Sequence, residues 1–290
     1  MYDKKITSNE PTLLILLLDQ SVSMSETMTE TEQGEVFSIA KIAKIISDTF
    51  LYTALRRSAV GNVFKPYIDL AVIGYGNSIN SALPKIPLEQ FPFSVKKLAD
   101  TYIAKNDSNP DDDSAIPKPK PEWVEERADG EPTGWVRHIL MLAAFTKARD
   151  IVEKWVPDHQ TSFPPVIINI SDGMPTDDHD DIVASLSSAK QLIDLSRAIC
   201  KIDTEDGKCL ICNCQISSRG MTQILYPSST AQAEEIDPFA KLMFEMSSII
   251  PEQIRIDANQ LEIKLEPNAR FFIFNAEIEG LWKLFYPIHS

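Results

Sequence analysis

A carboxylate and two hydroxyls stand at alternate positions directly after the first apolar run of the chain. The run Leu13–Leu18 leads into Asp19, and Ser21 and Ser23 follow at every second residue. A short, continuous apolar run of this kind is typical of a strand buried on both faces. Because ligands collect at the carboxyl ends of parallel strands, this spacing predicts three oxygen-bearing side chains in one turn at that edge of a sheet.

Further oxygen donors are expected at the same edge. The apolar run Pro165–Ser171 is followed by Asp172, and Thr133 stands just before a predicted helix. Two acids and three hydroxyls suit a hard cation, and a set with so few anionic ligands leaves water-filled positions, as Mg²⁺ prefers. We therefore predict a Mg²⁺ site, with Mn²⁺ or Ca²⁺ as alternative ions, formed by Asp19, Ser21, Ser23, Thr133 and Asp172.

Strand and helix patterns alternate along the chain. The predicted strands are Leu13–Asp19, Tyr67–Tyr75, Pro165–Ser171, Lys208–Ser217, Met221–Tyr226 and Arg270–Asn275. The predicted helices are Glu35–Ser58, Ser94–Tyr102, His138–Trp155, Asp181–Cys200, Pro238–Ser248 and Glu277–Phe285. This alternation predicts an α/β fold, doubly wound, with a mostly parallel central sheet and helices on both faces.

The length of 290 residues fits a single domain spanning 1–290. An inserted loop region at about 104–134 interrupts the alternation of strands and helices, and it contains N-D-S-N-P-D-D-D-S and P-K-P-K-P. A helix-strand-helix extension is predicted at about 232–290. Trp123 and Trp135 flank the end of the insertion. Either they pack it onto the domain or they contact a partner.

The formal net charge of −14 argues against nucleic acid and anionic lipid as partners, because both require Lys and Arg to neutralise phosphates. It suits a cation or a basic protein surface, although solubility alone would also explain it. The run Leu13–Leu18 is far shorter than the roughly 20 apolar residues that a membrane helix needs, and no targeting segment is evident.

Cysteine spacing resembles half a zinc site in the run Cys209, Cys212 and Cys214. No second Cys/His pair follows, and a structural zinc ion needs four ligands. Buried free thiols in a strand are the favoured interpretation. Together with Cys200, such thiols are most easily kept reduced in a cytoplasm, which is the predicted location.

The D-x-S-x-S run, with N-I-S-D-G at a later strand end, resembles the metal-ion-dependent adhesion site of von Willebrand factor A (vWA) domains. The resemblance implies that Ser21, Ser23 and Thr133 bind Mg²⁺ directly and that Asp19 and Asp172 act largely through water. Two departures stand out. Val22 replaces the usual glycine between the serines, and G-E-P-T-G replaces Gly-Gly-Thr-Pro, which displaces the threonine.

Four other segments extend this resemblance to bacterial cytoplasmic members of the tellurium-resistance stress type. They are W-V-E-E-R-A-D-G, S-F-P-P-V-I-I-N-I-S-D-G-M-P-T-D, M-S-S-I-I-P and F-I-F-N-A-E. The resemblance implies an adaptor in a stress, defence or phosphorylation-linked system. Its expected partner is a protein that presents an Asp or Glu to the metal, such as a kinase or a PP2C-type phosphatase encoded nearby.

Other functions remain open alternatives. A haloacid-dehalogenase-type phosphatase needs a second Asp two residues after the first, and Ser21 stands there instead. A serine hydrolase needs a G-x-S-x-G elbow with a partnered His, and neither is evident. We therefore expect a binding module and no enzyme, with a Mg²⁺-dependent phosphatase-like hydrolase or a scaffold with a structural metal as alternatives. The acids at 177, 178, 180 and 181 form either a second cation site or an ordinary acidic helix start.

Overall fold

The computed structural model describes residues 2–30, 36–61, 63–103, 122–128, 140–173, 182–218, 222–234 and 239–275, with backbone alone at 29, 30, 182–186 and 234. In chain order, the strands are β1 (Thr12–Asp19), β2 (Thr27–Glu30), β3 (Val36–Ser38), β4 (Ala59–Val60), β5 (Val63–Phe64), β6 (Ile68–Tyr75), β7 (Ile79–Ser81), β8 (Phe93–Ser94), β9 (Val166–Ser171), β10 (Leu210–Gln215), β11 (Ile224–Leu225) and β12 (Phe272–Phe274). The α-helices are α1 (Ile39–Ser58), α2 (Val95–Tyr102), α3 (Leu140–Trp155), α4 (Ile182–Ile199), α5 (Thr230–Glu234), α6 (Ala240–Met246) and α7 (Glu252–Gln260).

The main sheet has the strand order β11-β12-β10-β9-β1-β6-β7, and β8 also pairs with β6. Strands β12, β10, β9, β1 and β6 run parallel to one another, and β11, β7 and β8 are antiparallel to their neighbours. β1 therefore lies at the centre, between β9 and β6, which explains why its sequence is continuously apolar. The prediction of a mostly parallel sheet is confirmed.

Two hydrophobic cores cover the two faces of this sheet. Leu14, Leu16 and Leu18 point into the first core, where α1 and α2 pack. Leu13 and Ile15 point into the second core, which α3, α4 and α6 cover. Side chains alternate between the faces of a strand, so one apolar run supplies both cores. The predicted doubly wound arrangement is also confirmed.

A hairpin of β2 and β3 separates the first turn from α1. The two strands pair antiparallel, and α1 begins only at Ile39, where Ser38 Oγ caps it by accepting a hydrogen bond from Lys41 N at 3.1 Å. The predicted helix start at Glu35 is therefore wrong for Val36–Ser38. Local helical spacing was overridden by pairing with a second strand.

Residues 122–128 of the insertion are bound to α1 by hydrogen bonds and an ion pair. Asp48 Oδ1 accepts hydrogen bonds from the backbone N–H groups of Trp123 and Val124, both at 2.9 Å. Lys44 Nζ lies 2.8 Å from the other oxygen of Asp48 and 2.9 Å from Glu122 Oε2. Trp123 is buried in the first core, so of its two interpretations the structure supports packing. Trp135 lies outside the described residues.

The last described strand belongs to the main sheet. β12 pairs with β10, and α7 precedes it, whereas the predicted helix Glu277–Phe285 lies outside the described residues. The proposed domain boundaries remain a prediction. All four cysteines are free thiols, and Cys209, Cys212 and Cys214 are buried, as the strand interpretation predicted. None of the helices in the described ranges is both long and apolar enough to cross a membrane.

Candidate metal centre

The ends of β1 and β9 bring the two predicted acids to one edge of the sheet. Leu18 is in register with Ile170, so Asp19 at the end of β1 is level with Ser171 at the end of β9. Asp172 follows immediately. The register therefore brings Asp19 and Asp172 to the same carboxyl edge, as predicted. Sequence periodicity alone does not specify such a register.

Both oxygens of the Asp19 carboxylate already accept hydrogen bonds from the protein. Ser171 Oγ donates to Oδ2 at 2.6 Å, and the backbone N–H of Ser21 donates to Oδ1 at 3.0 Å. Each carboxylate oxygen can accept further bonds, so the group retains acceptor capacity toward a cation or a bound water. Its orientation is fixed by its two donors, and only 3% of Asp19 is exposed.

The two motif serines come together in the turn after β1. Residues Val22–Ser25 form one turn of 3₁₀ helix, which brings Ser21 Oγ and Ser23 Oγ to 3.0 Å from each other. Adjacent ligands of an octahedral Mg²⁺, with bonds of about 2.1 Å, lie about 3 Å apart. The hydroxyl pair therefore has the spacing of two neighbouring coordination positions. Val22 has no left-handed backbone conformation, so the turn does not need the glycine that vWA domains commonly have.

The electrostatics of the site favour a cation. Burial raises the pKa of Asp19 to about 7, and the nearby Asp172 carboxylate adds to the rise, although hydrogen bonds from Ser171 and Ser21 oppose it. Two acids that repel each other in a poorly solvated place are relieved by a positive ion between them. With its all-oxygen donors, the described part of the site fits Mg²⁺.

The turn after β9 depends on Gly173, which has a φ of +92°. Its N–H donates to Ser171 Oγ at 2.9 Å, and Gln215 Nε2 donates to the Asp172 carbonyl at 3.1 Å. A β-carbon at position 173 would lie 2.5 Å from Gln215 Nε2. Sequence reasoning did not single out Ser171 or Gln215. The S-D-G strand end was a signal for Ser171, but the partner of Gln215 depends on strand order.

Some predicted residues lie outside the described ranges. Thr133 falls in 129–139, and the acids at 177, 178, 180 and 181 fall in 174–181. Within the described part of the chain, no three or more His, Cys, Asp or Glu side chains form a group that could hold a metal ion. The described site has two acids, Asp19 and Asp172, and its other predicted donors are hydroxyls.

No protein-family model matches the sequence, and no curated protein matches it either. Among solved structures, the chain is similar to three N-terminal domains of the type V pili tip protein Mfa5 from Porphyromonas gingivalis, with a TM-score of 0.27 and 16% identity over 57% of this chain and 20% of that one. It is also similar to the human COPII-coat protein Sec24c, with a TM-score of 0.31 and 9% identity over 72% of this chain and 26% of that one.

A third similar structure is an uncharacterized membrane spanning protein from Vibrio fischeri, with a TM-score of 0.22 and 13% identity over 74% of each chain. The chain thus spans 20% and 26% of the lengths of the first two proteins. At these TM-scores, none of the three similarities carries an argument about function.

Proposed function

We propose that this chain is a vWA-type module that holds one Mg²⁺ through Asp19, Ser21, Ser23, Asp172 and Thr133, and that it uses this site to bind another protein. The observation that carries the proposal is the pairing of the strand ends. A buried acid at the end of β1 contacts the last residue of β9, which directly precedes the second acid, and two hydroxyls in the turn after β1 lie 3.0 Å from each other.

The donor set explains why binding is the favoured use of such a site. Hydroxyls are neutral, so an ion held by three of them and two largely water-linked acids keeps much of its positive charge. When bound, Mg²⁺ would supply an electrophilic position that a carboxylate can fill, and charge-assisted contacts of that kind are stronger than neutral ones. The partner would therefore present an Asp or Glu.

The chemistry of the partner is constrained further by the net charge of −14. An acidic domain attracts a basic surface at long range, so the partner's carboxylate is expected to be surrounded by Lys and Arg. A role as a cytoplasmic adaptor in a bacterial stress, defence or phosphorylation-linked system belongs to the same proposal. It rests on sequence resemblance, with a kinase or PP2C-type phosphatase as the expected partner.

Removal of the two motif hydroxyls tests the module directly. The double variant Ser21→Ala/Ser23→Ala should weaken Mg²⁺ binding, measured by calorimetry, and should weaken capture of the partner by a factor of about ten, or roughly 1.4 kcal/mol. The matched control is Ser25→Ala. Ser25 belongs to the same turn, but its hydroxyl donates to the Val22 carbonyl at 2.7 Å, so its loss should leave both measurements unchanged.

The same proteins separate the alternative functions. A partner complex that forms equally well in EDTA would indicate a scaffold with a structural metal. Phosphoester hydrolysis in Mg²⁺ that disappears in Ser21→Ala/Ser23→Ala but persists in Ser25→Ala would indicate an enzyme. Wild-type protein that binds neither Mg²⁺ nor Mn²⁺ would refute the metal site itself.

A further inference from the structure

Three buried polar side chains cross the sheet on the face covered by α3, α4 and α6. Tyr75 Oη donates to Asn169 Oδ1 at 2.8 Å, and Asn169 Nδ2 donates to Asn213 Oδ1 at 3.0 Å. Tyr75 is 2% exposed and both asparagines are fully buried. These three side chains, here called the relay, join β6, β9 and β10. β1 lies between β6 and β9 and contributes apolar residues to the second core.

The relay is an unusual use of a core position. Burial of a polar group costs free energy unless it is hydrogen-bonded, and replacing both partners of a buried hydrogen bond by apolar groups of the same shape can be nearly neutral. Its hydrogen bonds are directional, because each amide has one acceptor side and one donor side. Burial also raises the pKa of Tyr75 well above its ordinary value, so the phenol stays protonated and donates. The relay therefore fixes a geometry.

The relay fixes the position of α6 on the sheet. Asn213 Nδ2 donates to the Met243 carbonyl at 3.2 Å and to Ser247 Oγ at 3.0 Å. Ser247 Oγ in turn donates to the Met243 carbonyl at 2.7 Å. These contacts hold the last turn of α6 and the residue after it at a defined height above β10.

The other end of α6 reaches the candidate metal centre. Phe239 directly precedes α6, and its Cβ lies 3.1 Å from the place that a β-carbon on Gly173 would occupy. Gly173 follows Asp172, whose carbonyl is held by Gln215. α6 therefore backs the turn that carries Asp172 at one end while it is pinned by Asn213 at the other.

We propose that Asn213 is a positioning residue for the metal centre: through α6 and Phe239 it holds the Asp172–Gly173 turn in place. The metal in this statement rests on the proposed function, whereas the mechanical link does not. The contacts of Asn213 with Met243 and Ser247 support the path through α6.

Hydrogen exchange in EDTA tests the link without any metal. The variants are Asn213→Leu, which removes the amide, and the milder Ser247→Ala, which removes the hydroxyl between Asn213 and the Met243 carbonyl and leaves the core volume nearly unchanged. The reporter is the Gly173 amide, which donates to Ser171 Oγ, measured relative to the Leu16 amide at the centre of β1. A change common to both amides reports global stability, and an excess at Gly173 reports local opening of its turn.

We expect Asn213→Leu to accelerate exchange at Gly173 by about tenfold or more over any change at Leu16, and Ser247→Ala to do so more weakly. The matched control is Ile211→Val, which alters the same face of β10 two residues away without touching the relay, and which should leave the ratio unchanged. Calorimetry should show about tenfold weaker Mg²⁺ binding for Asn213→Leu and unchanged binding for Ile211→Val.

An unchanged Gly173 to Leu16 exchange ratio in both Asn213→Leu and Ser247→Ala would overturn the inference, whatever happens to stability. Weakened Mg²⁺ binding in Ile211→Val to the same degree would also overturn it, since any core change would then suffice. If wild-type protein binds no metal, the proposed function fails, and the exchange ratio in EDTA still decides whether Asn213 positions the turn.

Discussion

Ser171 Oγ lies 2.6 Å from Oδ2 of Asp19, so the last residues of two neighbouring parallel strands are joined side chain to side chain. The same oxygen of Ser171 accepts the N–H of Gly173 at 2.9 Å. One hydroxyl therefore orients a buried carboxylate and closes the turn that carries the second acid. Because both residues are buried, water cannot readily replace either one as the hydrogen-bond partner of the other.

Replacement of Ser171 should consequently destabilise the protein. Ser171→Ala leaves the Gly173 N–H and one Asp19 oxygen without a partner, and an unsatisfied buried polar group costs about 1–3 kcal/mol. Denaturant unfolding in EDTA should show this loss. Ser171→Thr, which keeps the hydroxyl, should recover most of it. A Ser171→Ala variant as stable as the wild type would contradict the role assigned to this hydroxyl.

Mg²⁺ should stabilise the wild-type protein against heat and denaturant. A ligand that binds only the native state at about 100 times its Kd contributes roughly 2.7 kcal/mol. Asp19→Ala should abolish this gain because it removes one of the two acids that a cation would neutralise. The measurement is the melting temperature with Mg²⁺ and with EDTA, and Ser25→Ala is the control that should retain the gain. Retention of the gain in Asp19→Ala would reject Asp19 as part of the site.

The buried thiols predict a loss of stability at alkaline pH. Burial raises the pKa of the Cys209 and Cys212 thiols well above the ordinary value. In the unfolded chain these thiols ionise near pH 8.5, whereas in the folded protein they remain protonated. The native state then binds more protons than the unfolded state, so the free energy of unfolding falls as pH rises above about 8.5.

The measurement is the denaturant midpoint at pH 7 and at pH 9.5. Cys209→Ala/Cys212→Ala should show a shallower decline between these two values than the wild type, even if it starts from a lower stability. Slow alkylation of both thiols under native conditions should accompany this behaviour, because the thiolate is the reactive form. Rapid native labelling at Cys209 would contradict the burial on which the prediction depends.

Asp48 should be important for keeping residues 122–128 on the domain. Its Oδ1 accepts both the Trp123 and the Val124 N–H groups, so Asp48→Ala leaves two buried donors unsatisfied, while Lys44 keeps its pair with Glu122. A loss of about 3 kcal/mol is expected, since each unsatisfied buried donor costs about 1–3 kcal/mol. Asp48→Asn retains an acceptor oxygen and should cost less. Limited proteolysis should detect faster cleavage near Trp123 in Asp48→Ala than in Asp48→Asn.

Local sequence patterns determined much of the architecture. The apolar runs of β1, β6, β9 and β10 are long enough to be recognised as strands, and their alternation with helical spacing gives the α/β class. The D-x-S-x-S spacing identified the turn after β1 because its residues are contiguous. α7 was missed, since only Ile254 and Ala258 of that helix are buried, and two apolar positions produce little periodicity.

What the tertiary structure alone decided is which residues face one another. Asn169 and Asn213 interrupt apolar strands in the sequence, but the register of β9 and β10, which aligns them directly, is set by the assembled sheet. The same holds for Ser171 beside Asp19, and for Phe239 against Gly173. Hydrogen bonds between residues distant in the chain depend on strand order and on the packing of helices. Those are cooperative properties of the whole fold, and no local pattern encodes them.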